Sequence, residues 1–198
     1  MENYTVFEEV KHDEFKSFAQ DQMSQESFYQ KVYNLSMIFI ALLFIGGTGY
    51  ALTLFWLDEN LFYMIQTVGG ILVSFSILIF LHEFLHAVAY KIKGAKSLYF
   101  GAELSSFVFY VASNQEKFTG NQYKFIALFP FTIIIILSGI LLIAFPQYFQ
   151  LIFSILFVHH IFCGGDFAAV CFLQKHGVEN ILTFDSKEKQ TTYFLKRA

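Results

Sequence analysis

Four stretches of the chain are long and uncharged enough to cross a bilayer, which takes about 20 largely apolar residues. The first runs from about Leu35 to Leu57. The second starts near Leu61, stays uncharged to Leu81, and continues through His82, Glu83 and His86 to about Tyr90. The third covers about Phe125 to Phe145, with Pro130 in its first turns and Pro146 just beyond its end. The fourth covers about Tyr148 to Leu173 and contains His159, His160 and Asp166. A backbone in lipid must satisfy its own polar groups, so all four are predicted to be helical.

Two weaker patterns lie outside these stretches. Phe7, Val10, Phe15 and Phe18 fall near helical spacing among charges, which suits either an amphipathic helix lying on a membrane or a loosely ordered tail. Leu98 to Phe100 and Phe107 to Val111 are aromatic and β-branched runs separated by Gly101 to Ser106, which predicts a short β-hairpin. The expected fold is therefore an all-α membrane protein. Residues 1–34 form an N-terminal segment, 35–174 a four-span domain whose central loop 91–124 carries the hairpin, and 175–198 a C-terminal tail.

Composition supports this picture. Of 198 residues 56% are hydrophobic and only 15% charged, where soluble domains average about a quarter charged. Together with the block pattern, that excludes an ordinary soluble domain and a disordered chain. A net charge of -3 offers no basic footprint for nucleic acid. Cys163 and Cys171 lie in one apolar segment, roughly 12 Å apart along a helix, too far to bridge each other.

Charge also orients the chain. All 13 Lys and Arg residues fall in the N-terminal segment, the central loop or the C-terminal tail. The turns Asp58 to Asn60 and Pro146 to Gln147 contain none. The positive-inside rule places both termini and the central loop in the cytoplasm. About thirty polar residues precede the first apolar block, so a signal peptide is not expected. The sequons at Asn3 and Asn34 read as chance matches.

The candidate chemistry is confined to two spans. Of 16 Asp and Glu residues only Glu83 and Asp166 lie inside spans, as do four of the six histidines. Ionisable groups at such depth are costly and mark function by default. His82, Glu83 and His86 form an H-E-x-x-H pattern: imidazoles at i and i+4 share a helix face and reach one Zn²⁺, and Glu83 is placed to take a proton from an attacking water. The alternative, hydrogen bonding between spans, leaves three clustered ionisable groups without a strong common partner. Asp166 is the expected third ligand. His82 precedes Lys91 by nine residues and Asp166 precedes Lys175 by nine, which puts both groups roughly 13 Å from the same end of their helices. Glu103 is a rival ligand, although its loop position suits a solvated charge. Gly164 and Gly165 allow close helix approach, the preferred reading, or a break that aims Asp166 and frees backbone for substrate. His159 lies near the Asp166 face two turns deeper, and His160 points elsewhere. Either would orient a ligand, bind a substrate carbonyl or hydrogen-bond between helices.

Three stretches carry a family resemblance: His82-Glu83-Phe84-Leu85-His86, the run from Phe107 to Phe131 with Gln122-Tyr123 and Phe129-Pro130, and Cys163-Gly164-Gly165-Asp166. From about the second span onward the chain resembles bacterial membrane proteins described as zincin peptidases, relatives of the site-2 protease clan. That resemblance implies an intramembrane metalloprotease fold, one zinc held by His82, His86 and Asp166, and Glu83 as catalytic base. In that clan the aspartate usually precedes a glycine, whereas here Asp166 precedes Phe167.

The expected function is a zinc-dependent peptidase that cleaves membrane-embedded or membrane-proximal peptides near the cytoplasmic face of a bacterial membrane. The alternative is a metal-binding sensor or transporter component without hydrolysis. Expected partners are the membrane and a peptide or transmembrane substrate, with no nucleic acid; a homo-oligomer is compatible with every feature.

Overall fold

The computed structural model describes residues 4–103 and 108–197, apart from the side chains of Glu103 and Val108. The chain is mostly helical, and its elements run as follows. Strand β1 (Tyr4–Lys11) leads through a short 3-10 turn into α1 (Phe15–Ser24) and the long α2 (Phe28–Asp58). Helix α3 (Phe62–Val73) passes through a π turn at Ser74–Leu78 into α4 (Ile79–Ile92). Strands β2 (Tyr99–Glu103), β3 (Val108–Ala112) and β4 (Phe118–Thr119) precede α5 (Gly120–Ala144). Helices α6 (Phe149–Phe162) and α7 (Gly164–His176) then lead to β5 (Ile181–Ser186) and β6 (Thr191–Arg197).

Three helical stretches are long and apolar enough to cross a membrane: Phe28–Asp58, Phe62–Ile92 and Gly120–Ala144. The fourth expected span is a pair, Pro146–Phe162 and Gly164–His176, bent by 46°. The predicted hairpin is present, β2 pairing with β3 antiparallel from Tyr99 opposite Ala112 to Glu103 opposite Val108. Leu104 to Phe107, and with them part of the expected Gly101–Ser106 turn, lie outside the described residues, as does the Glu103 side chain that was the rival ligand.

The segments expected as tails are ordered. β1, β6, β5 and β4 form one antiparallel sheet in that order, so the fold is helical with small sheets rather than all-α. β1 and β6 pair from Tyr4 opposite Arg197 to Lys11 opposite Thr191, with a bulge between Val6 and Glu8.

The chain divides into two compact units. The first gathers Met1–Lys31, His82–Pro130 and Gly164–Ala198; the second gathers Val32–Leu81 and Phe131–Cys163. The first unit has two apolar centres. Ala87, Ala89, Tyr90, Val111, Phe118 and Ile126 bring α4, the hairpin and the start of α5 together. Val10, Phe172, Leu173, Ile181 and Phe194, with Phe7, Phe15 and Phe18 against them, join β1 and α1 to α7 and the sheet.

The second unit has a polar interior. Gln150, fully buried, donates from Nε2 to the hydroxyls of Thr48 and Thr67, each at 3.0 Å. Gln66 donates to the Gln147 carbonyl and accepts from the Leu151 N–H. Buried amides and hydroxyls cost free energy unless paired, and here the Gln150 and Gln66 donors pair across helices α2, α3 and α6, while Gln150 Oε1 is buried without a partner.

Candidate metal centre

His82, Glu83 and His86 interrupt the apolar run of α4. One helical turn separates the two histidines, so both rings leave the same face, and their Nε2 atoms lie 3.1 Å apart. The third group comes from the first turn of α7, directly after the glycine pair. Asp166 Oδ1 lies 3.2 Å from His86 Nε2, and Oδ2 lies 3.3 Å from His82 Nε2. The first unit brings the three residues together.

The three residues fit a zinc ion by geometry and by donor chemistry. Four facing atoms, the two Nε2 atoms and both Asp166 oxygens, are linked in turn by contacts of 3.1, 3.2 and 3.3 Å. Corners of a tetrahedron with metal bonds of about 2.0–2.1 Å are separated by about 3.3 Å. Asp166 Oδ2 is buried and lies 3.3 Å from His82 Nε2. His86 Nδ1 lies 3.0 Å from the Ile126 carbonyl oxygen, which accepts only, so Nδ1 carries the proton. That tautomer leaves Nε2 as a bare lone pair facing the other two donors, the arrangement metal-ligating histidines adopt. Two imidazoles and a carboxylate are the number and kind of protein ligands that a catalytic zinc uses.

Glu83 lies beside these three residues. Its Oε2 is buried with no hydrogen-bond partner, while the backbone N–H of Val111 on β3 donates to the carboxylate. The hairpin is thereby tied to the acid that follows the first ligand.

The glycine pair lies at a helix boundary and at a close contact. Helix α6 ends at Phe162 and α7 restarts at Gly164, so the chain does break just before the ligand. Gly165 also permits a close approach: a Cβ there would lie 2.9 Å from Cε1 of Phe15 on α1. His159 and His160 belong to α6 in the second unit. His160 Nε2 donates to the Tyr33 carbonyl at 3.1 Å and its ring stacks on Tyr33 at 4.5 Å, an interhelical bond of the kind foreseen for it. His159 is buried with Cys163 Sγ 3.6 Å from its Nε2. Cys171, in the first unit, accepts from the Ser27 hydroxyl at 3.1 Å. The reading of residues by type misses the Ile126 carbonyl, the Val111 N–H and the Phe15 ring; a backbone group has no residue type of its own.

Fold and centre together define a helical protein of membrane-spanning lengths with a zincin-like donor set. The family model described as "Putative zincin peptidase" matches residues 75–179, a little over half of the chain, and takes in α4, the hairpin and Asp166. The chain belongs to that family, whose description indicates a metallopeptidase and implies zinc. Neither the curated proteins nor the solved structures provide a match.

Proposed function

We propose that the protein is a zinc-dependent peptidase that works within the membrane, on embedded or membrane-proximal peptides near the cytoplasmic face. The observation that carries this reading is the cluster of His82, His86 and Asp166 with the Glu83 carboxylate beside it. Zinc held by those three side chains supplies Lewis acidity, acidifying a water and polarising a scissile carbonyl. Glu83 takes the water proton and delivers it to the leaving amine. His86 keeps its donor atom turned inward through its bond to Ile126. Asp166 balances charge and completes the donor set.

A helical substrate hides its carbonyls, so it must unwind before cleavage. β2 and β3 form a two-stranded sheet, and each keeps an edge without a strand neighbour. Addition of an extended substrate segment to such an edge is a recurrent recognition mode. The Val111 link to Glu83 supports the hairpin as the place where the segment lies. The positive-inside pattern supports cytoplasmic termini in a bacterial cell membrane, with a homo-oligomer compatible.

The test is zinc per chain in detergent-purified protein. About one zinc in the parent, its loss in Asp166→Ala, and loss of cleavage with zinc retained in Glu83→Gln are the expected results. A parent that takes up no zinc after reconstitution overturns the reading. Cleavage undiminished by Glu83→Gln removes Glu83 as the base, and a zinc-loaded parent that cleaves no peptide leaves a metal-binding protein without hydrolysis.

A further inference from the structure

The Ile126 carbonyl that receives the His86 proton sits inside a regular helix, where a carbonyl normally accepts from the N–H four residues on. The residue four on is Pro130, inside α5 and fully buried. Proline has no N–H, and its ring presses on the carbonyl four residues back. Ile126, 2% exposed, is thus denied its regular partner. A neighbouring group must then satisfy the freed carbonyl, as happens around prolines in membrane helices. The group that does so here is the Nδ1–H of His86, at 3.0 Å.

We propose that Pro130 is a positioning residue of the metal centre. By withholding its N–H, it reserves the Ile126 carbonyl for His86, and so fixes the histidine in the tautomer whose Nε2 faces His82 and Asp166. The inference rests on the zinc-peptidase reading for its purpose, but the geometry is that of the protein alone. It adds a residue that touches neither metal nor substrate, and it gives the proline within the third apolar helix a chemical role.

The role differs from a structural one in the sign of its effects. Pro130→Ala restores the helical N–H and replaces the poorest helix former by the best. A proline kept only for the shape of the helix would leave the centre untouched once the helix folds. A positioning proline gives a helix at least as stable and a weaker centre. Zinc affinity, measured by competition with a chromophoric chelator, is expected to fall about 10-fold, the lower end for losing an outer-shell partner. The midpoint of thermal unfolding is expected to hold or rise. Pro130→Val also restores the N–H while refilling the space of the ring, and it is expected to lose zinc affinity likewise. A loss confined to Pro130→Ala points to the vacated volume and overturns the proposal, as does parental affinity in both variants.

A second measurement needs no metal. The ring ¹⁵N signals of His86 in metal-free full-length parent are expected to show a protonated Nδ1, with the tautomer protonated at Nε2 alone gaining in both variants. An Nε2–H tautomer in the parent overturns the proposal, whether or not either variant folds. If the parent takes up no zinc but the tautomer shifts as stated, the peptidase reading fails and the role of Pro130 in orienting His86 stands.

Discussion

A buried carboxylate has to be compensated, and the chain compensates its acids in different ways. Asp166 faces two imidazoles at 3.2 and 3.3 Å. Glu116, in the loop before β4, accepts from the backbone N–H groups of Lys96 and Ser97 and from two serine hydroxyls, which hold its carboxyl below the usual range. Asp185 on β5 has much less. It accepts from Thr192 at 2.6 Å, and the nearest imidazole, His12 Nε2, is 4.0 Å away. Burial therefore pushes Asp185 up to about 6 and pushes His12 down. Between its ordinary value of 3.8 and about 6 the native state binds more proton at Asp185 than the unfolded chain does. Its contribution to stability is complete below the ordinary value and is lost as pH rises through about 6. His12 works oppositely, contributing above its ordinary 6.5 and losing that contribution as pH falls through its depressed value. Asp185→Asn is expected to raise the unfolding midpoint at neutral pH and to remove the decline between about pH 4 and 6, leaving the His12 trend; thermal unfolding at a series of pH values checks it. The candidate donors His82, His86 and Asp166 were legible in the sequence because side-chain type and spacing single them out. The groups that orient them were not, since Ile126 acts through its carbonyl and Val111 through its N–H.

Among the elements, the clearest lesson comes from Phe7, Val10, Phe15 and Phe18. Their near-helical spacing identifies four residues that do share one apolar centre with Phe172, Leu173, Ile181 and Phe194. They reach it by a strand, a 3-10 turn and a helix rather than by one amphipathic helix. The bulge between Val6 and Glu8 breaks the two-residue alternation that would have announced β1, and leaves Val6 exposed while Val10 is buried. β5 was hidden differently: Thr183 and Asp185 are polar yet lie on its buried face, so polarity does not report which side faces water. The glycines show how residues alike in sequence separate by packing. At Gly70 on α3 a Cβ would lie 2.6 Å from Ser154 Cβ and 2.8 Å from the Leu151 carbonyl on α6, whereas at Gly139 nothing lies within 4 Å. Gly70→Ala is expected to cost about 1–3 kcal/mol by forcing α3 from α6. Gly139→Ala is expected to be neutral or to stabilise by up to about 1 kcal/mol. Unfolding in detergent distinguishes them.

At the scale of the whole molecule, the second unit inverts the usual distribution of polarity. Ile143 is 85% exposed, Trp56 80% and Phe80 69%, while Gln150 and Ser154 are fully buried. A surface of that kind is consistent with the proposed membrane setting. The four apolar stretches were legible because their length alone speaks. The bend between α6 and α7 was the less favoured of two readings, since glycines permit a break without dictating one. Sidedness belongs to this scale. Single cysteines at Glu59 and at Glu188, each in a background lacking Cys163 and Cys171, are expected to react with an impermeant thiol reagent from opposite faces of intact cells. Labelling of both from one face would refute the orientation drawn from the lysines and arginines.

The first unit is assembled from three separated stretches of chain, and both the β1 ladder and the Asp166 ligand depend on the last of them. During synthesis β1 leaves the ribosome long before β6, and α1 long before α7. Three long apolar helices and both histidines are already made while the first strand still has no neighbour and the candidate centre still lacks its carboxylate. A nascent chain therefore carries an incomplete donor set for most of its translation, and a truncated copy keeps the apolar bulk without the third donor.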